Sequence, residues 1–291
     1  MTATTPVPLP TWPPETHAIF ERAVTVEYAS LTRAGEPITV PLTPYVGEDG
    51  ATLDVSTGLT YPTKAERARR NPRVALLYAD HVGSGLTDPP VVAVQGIARL
   101  SDDLQAATDR YVRLASAKNP NAFRGMPDFL VRRLDWYFAR IWMHVTPTRM
   151  LWWPHGDLDA APEEWVNSAV DAPAAAPAPV TRAAAGPDDR ADWRPVAERA
   201  LDRLSHRDLT TVDATGHPLT VPVAGATLTP DGVRLALPAG VAPLVSAGPA
   251  SLTLHDHDDV FSWQHNASLV GTLRLEPEPL LVVHRALDTI E

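Results

Sequence analysis

The chain has 291 residues, enough for two domains each with its own core, and a formal net charge of −10 from 35 acidic and 25 basic residues. That balance excludes nucleic acid or an anionic membrane as the main partner, because both require a basic footprint. With no cysteine, disulfides, iron–sulfur clusters and thiolate zinc sites are excluded too.

Residues 1–14 are rich in Thr and Pro, with neither a basic start nor an apolar run, and read as a disordered tail rather than a leader. No stretch reaches the roughly 18 apolar residues of a membrane span, so a cytoplasmic protein is expected. A first domain over 15–154 opens with a short helix. Alternation of β-branched and apolar residues with polar ones, between Gly/Pro turns, then predicts strands near Val24–Thr32, Thr39–Val46, Ala51–Ser56, Val74–Tyr78, Val91–Leu100 and Ile141–Trp152. Helices are expected at Asp103–Ala117 and about Pro127–Phe138. Short strands with few helices suggest a small closed or half-closed barrel.

The segment between the third and fourth strands carries the strongest chemical signal. Lys64, Arg67, Arg69, Arg70 and Arg73 fall close together in an acidic chain, which suits a compact anionic ligand. Thr63 and Glu66 stand in the spacing of a capping box, so Thr63 is expected to cap a short helix with Lys64 in its first turn. A helix start offers unpaired N–H groups and a positive dipole end, which suit a phosphate. Lys64 and Arg67, at i,i+3 spacing, share one helical face. A solvated basic helix is the competing reading.

Residues 155–192 contain Ala172-Pro173-Ala174-Ala175-Ala176-Pro177-Ala178-Pro179 and read as a semi-extended linker. A second domain over 193–291 begins with a helix at Pro195–Ser205 and repeats the first. Gly35-Glu36-Pro37-Ile38-Thr39-Val40-Pro41-Leu42 matches Gly216-His217-Pro218-Leu219-Thr220-Val221-Pro222-Val223. Likewise, Gly50–Val55 matches Gly232–Leu237, and the strand around Gly96 matches the one around Gly271. The copies differ at the basic segment, since residues 241–248 carry no charge. His255-Asp256-His257-Asp258-Asp259 has metal-ligand chemistry, but the repeat puts it at a strand end and hairpin, so a solvated polar turn and no metal site are expected. Gly83-Ser84-Gly85 reads as a loop tip, and Trp136, Trp142, Trp152 and Trp153 read as packing residues.

The Gly-x-Pro-x-x-x-Pro hairpin, the Ser56-Thr57-Gly58 turn, the Lys-x-x-x-x-Arg-x-Asn-Pro-Arg-Val segment from Lys64, the Val94-Gln95-Gly96-x-Ala98 strand and the closing Val145–Trp153 together resemble the pyridoxamine 5′-phosphate oxidase-like FMN-binding split-barrel family. The resemblance implies a mainly β (α+β) protein of two tandem split barrels with short peripheral helices, the second a degenerate copy. It implies FMN, or alternatively the deazaflavin F420, held by Ser56, Thr57, Thr63, Lys64 and Arg67. Trp153 would approach the flavin, or serve as a core or interface aromatic. Oxidoreductase chemistry on a small-molecule substrate follows from the same resemblance, with either a homodimer or an intramolecular pseudo-dimer completing the site. A haem-binding or non-catalytic module is the other reading. The Arg-x-His pair that grips substrate in true pyridoxamine phosphate oxidases is absent after Trp153, where Pro154-His155-Gly156-Asp157 stands instead, so vitamin B6 oxidation is not expected.

Overall fold

The computed structural model describes residues 12–101, 103–118, 139–170 and 192–288. In the first half, α1 (Pro14–Arg22) leads to β1 (Val26–Leu31), β2 (Pro37–Leu42), β3 (Pro44–Val46), β4 (Leu53–Gly58), α2 (Thr63–Arg70), β5 (Arg73–Tyr78), β6 (Val91–Leu100), α3 (Leu104–Lys118), β7 (Arg140–Trp153) and β8 (Glu163–Val166). The second half has α4 (Arg194–Arg203), β9 (His206–Val212), β10 (Pro218–Pro222), β11 (Gly225–Thr229), β12 (Gly232–Ala236), β13 (Gly248–His257), β14 (Gln264–Arg274) and β15 (Leu280–Asp288). The helix expected over Pro127–Phe138, Trp136 and the Ala/Pro run at 172–179 lie outside the described residues.

The two sheets have one topology. The first runs β2-β1-β5-β6-β7-β4-β3, with β8 added to β7, and the second runs β10-β9-β13-β14-β15-β12-β11. In each, the strands at opposite edges are consecutive in sequence, and only Thr43 separates β2 from β3. A flat sheet could not join its two edges through one residue, so each sheet must curl into a nearly closed barrel. The expected architecture, mainly β with two tandem split barrels and peripheral helices, is the observed one. The single strand expected over Thr39–Val46 is instead two, because the chain turns at Thr43 from one edge to the other. Pro41 and Pro44 sit on these edge strands, where a missing N–H is tolerated.

Particular glycines show why the copies match. Gly35 and Gly216 both adopt positive φ, 77° and 76°, and each closes its hairpin by donating to the carbonyl three residues back, of Thr32 or Asp213. Gly96 and Gly271 each lie at a β-bulge against the following strand. A Cβ on Gly271 would stand 2.1 Å from the Val282 carbonyl oxygen, and backbone cannot move aside as a side chain can. Gly271→Ala is therefore expected to destabilise the protein by about 1–3 kcal/mol, read by urea denaturation. An unchanged midpoint would show that the bulge adapts.

The first barrel encloses Tyr28, Leu53, Val55, Leu76, Val92, Met143 and Met150, with Ile19 and Phe20 of α1 closing it. The second barrel's core extends across the boundary between the halves to include Leu77, Val91, Ala93, Leu151 and Trp153 of the first. Polar side chains register this seam. Thr39 and Thr210 share a hydroxyl hydrogen bond of 2.6 Å, and Gln95 donates to Asp213 at 3.0 Å and to the Pro218 carbonyl at 3.2 Å. His217 reaches across to the carbonyls of Gly96 and Val74 at 3.1 and 3.3 Å. Carbonyls only accept, so Nε2 carries the proton, and burial holds the ring below the usual histidine range.

Two boundaries differ from the expectation. Trp12 is buried and packs edge-on against Phe20, with ring centroids 5.4 Å apart, so the fold begins inside the stretch read as a tail. Part of the stretch read as a linker also belongs to the first sheet. β8 pairs with β7, Trp165 packs on the first core, and Asn167 donates to the Pro147 carbonyl at 3.2 Å. The absence of Pro and Gly from Glu163–Val166, in a chain with an open sheet edge nearby, is what allows it to add a strand.

Candidate functional site

α2 is amphipathic, with Ala65 and Ala68 buried in the first barrel. Its start differs from the capping box expected. Pro62 is the N-cap, in αR conformation, its carbonyl accepting the Glu66 N–H at 2.9 Å. Thr63 is the first helical residue, is exposed and makes no capping bond, while Glu66 pairs with Arg69. The Pro62 ring presets a helical φ, so the turn forms without a side-chain cap. The N–H groups of the first turn still lack intrahelical partners.

Lys64 and Arg67 turn towards the body of the protein. Arg67 is 8% exposed and donates from Nε to the Ser30 hydroxyl on β1 at 2.9 Å. Burial depresses its basicity; the Tyr28 phenol opposes this, and Arg70 and Arg285 add to the depression. Lys64 is held below the usual lysine range by burial and then by the Arg67 charge. Among the described residues no carboxylate pairs with Lys64 or Arg67. Arg285 comes from β15, in the other half, and its only carboxylate partner among the described residues is Glu36 at 2.8 Å. The Tyr28 hydroxyl and Arg285 Nε are buried without hydrogen bonds. Buried positive charge with orphaned donors is costly unless an anion joins it, so this donor set fits a phosphate.

The other residues expected at this site are less well gathered. Ser56 and Thr57 are consecutive on β4, so their side chains face opposite sides of the sheet. Thr57 lies on the face of Leu53 and Val55 and donates to the Tyr61 carbonyl at 2.9 Å, bracing the turn into α2. Ser56 lies on the face of Asp54. Trp153 stands at the far end of β7 from the residues paired with β4. It is fully buried in the core across the seam, and its indole N–H donates to the Ala160 carbonyl at 3.1 Å. Trp142 and Trp152 are buried as well, as expected of packing residues.

In the second half a 3-10 turn, Ala242–Leu244, replaces α2. The first half covers the residues leading into it. The Gly240 N–H donates to the Leu158 carbonyl at 3.0 Å, the Ala239 N–H to Asp159 at 2.9 Å, and a Cβ on Gly240 would stand 1.7 Å from the Ala160 oxygen. The loop 157–160 therefore covers the segment of the second copy that corresponds to the turn into α2. Only one of the two related positions offers cations.

Sequence reasoning missed three features. Arg285 is one; the repeat register could have found it, since Arg285 and Arg149 hold equivalent places beside their bulges. A second is a surface cleft along α3 and β7, where Asp54 is 1% exposed between Arg110 at 2.7 Å and His144 at 2.9 Å. The third corrects the solvated turn expected at His255–Asp259. β13 continues through His257, and His255 and His257 are 0% and 7% exposed because the first half covers them. Only Asp258 onward forms the turn.

No protein-family model matches the sequence, and no match was found among curated proteins. Among solved structures, a Listeria innocua protein described as a putative pyridoxamine 5′-phosphate oxidase is 22% identical over 46% of this chain and 90% of its own, with a TM-score of 0.32. General stress protein 26 of Bacillus anthracis is 15% identical over 53% of this chain and 96% of its own, with a TM-score of 0.35. An F420 reductase is 19% identical over 46% of this chain and 93% of its own, with a TM-score of 0.34. Each spans about half of this chain.

Proposed function

We propose that the protein binds one phosphorylated flavin, FMN, per chain at α2, and acts as an oxidoreductase on a small molecule. The observation that carries this reading is the pair Lys64 and Arg67 on one face of α2, Arg67 buried and neither paired with a carboxylate among the described residues, with Arg285 of the second half within electrostatic reach of Arg67. Lys64 and Arg67 would hold the phosphate beside the free N–H groups of the first turn. Arg285 would complete the site from the second half, so that the tandem copy serves in place of a second chain. Once bound, the flavin would supply hydride or electron transfer, and the protein its position and electrostatics.

Titration of the apoprotein with FMN, followed by flavin fluorescence, tests this. One equivalent is expected to bind. Lys64→Ala is expected to weaken binding about 10- to 150-fold, the loss of one charge-assisted contact of about 1.5–3 kcal/mol. Unchanged affinity would put the phosphate elsewhere. Tighter binding of F420 than of FMN in the same assay would assign the longer anionic cofactor, for which exposed Arg69 and Arg70 extend the basic surface.

A further inference from the structure

A second constellation lies where β1, the end of β5, β9 and β13 meet. It holds three buried carboxylates, Glu27, Asp80 and Asp208, at 0%, 1% and 3% exposure. Their ionic partners among the described residues are all imidazoles, with no lysine or arginine. Buried carboxylates are expensive unless cations join them.

We propose that Asp80, His206 and His255 form a divalent transition-metal site that ties the two halves together, with zinc as the ion that tests it. Asp80 Oδ2 lies 3.4 Å from His206 Nε2 and 3.8 Å from His255 Nδ1. Those separations exceed an ordinary hydrogen bond, and they approach the roughly 3.3 Å edge of a tetrahedron whose bonds are about 2.0–2.1 Å. His255 Nδ1 is buried and makes no hydrogen bond. The three ligand atoms lie within 4.8 Å of one another. His257 Nε2 hydrogen-bonds the same Asp80 oxygen at 2.8 Å, lies 2.7 Å from the Thr25 hydroxyl and so braces the carboxylate from the side.

The surroundings of His255 have the form expected around a metal ligand. Its other nitrogen, Nε2, faces Asp208 at 3.3 Å and Glu27 at 3.0 Å. A proton held there by the carboxylates leaves the Nδ1 lone pair directed at Asp80 and His206, as ligating histidines are commonly oriented. Two imidazoles and a carboxylate suit a first-row divalent ion and need no thiolate. His206, with its side chain 30% exposed, forms the rim by which an ion enters. Asp80 comes from the first half and both histidines from the second, so metal binding would favour the assembled seam.

The full chain, dialysed against a chelator and then against buffer, is titrated with zinc by calorimetry while its thermal unfolding is recorded. One zinc per chain and a melting temperature that rises with zinc concentration are expected. Asp80→Asn and His206→Ala should abolish stoichiometric binding, and Asp208→Asn, which removes only the charge behind His255, should weaken it about 10- to 100-fold. Should Asp80→Asn fail to fold, His206→Ala at the rim carries the same test. No stoichiometric uptake by the folded wild-type chain overturns the proposal, as does uptake unchanged in the ligand variants. Flavin titration of the same samples is independent of either result.

Discussion

Replacing Trp153 with alanine is expected to lower the unfolding free energy by about 3–5 kcal/mol, the range for removing a fully buried large aromatic. Trp153 is completely buried, and it joins a core whose other members belong mostly to the second half. Removing it opens a cavity at the seam and leaves the Ala160 carbonyl without its indole donor. Because Ala160 closes over Gly240, the loop that covers the second copy should loosen with it. Urea denaturation gives the magnitude. A variant of wild-type stability that had lost only its affinity for flavin would show the indole to be a ligand contact rather than a packing one.

Lys64→Ala combined with Arg67→Ala is expected to reduce FMN affinity by about 10²- to 10⁴-fold, two charge-assisted contacts of about 1.5–3 kcal/mol each. The loss should be accompanied by little loss of stability. Arg67 is a buried cation whose burial is opposed by Arg70 and Arg285, so its removal relieves repulsion even as it breaks the bond to Ser30. A structural pair would behave in the opposite way, with stability falling while flavin binding held. Measuring both quantities on one sample separates the cases, and retained affinity in the double variant would remove α2 from the binding site.

Much of the barrel was legible because it is locally encoded. Period-two alternation marked β1, β4, β5, β6 and β7 to within a few residues, and the repeated hairpin glycines at 35 and 216 marked both copies. The basic character of α2 was legible for the same reason, since Lys64 and Arg67 need only helical spacing to share a face. Its cap was not, because a proline can start a helix as well as a threonine can cap one, and spacing alone does not choose between them. Ser56 and Thr57 read as a pair in sequence, yet the pleat of β4 sends them to opposite faces.

The sequence by itself determined the two barrels, their duplication and the presence of a basic helix in one copy only, because each depends on residues close along the chain. Only the tertiary structure decided what the seam does. It brought Arg285 within electrostatic reach of Arg67, buried Trp153, covered the second copy's Gly240 with residues 157–160, and gathered Glu27, Asp80, His206, Asp208 and His255 from three separate strands and a strand end. Those residues carry no shared periodicity, and their burial comes from the covering half rather than from their neighbours in sequence. A histidine at the end of β13 reads as a solvated turn until another barrel is packed against it.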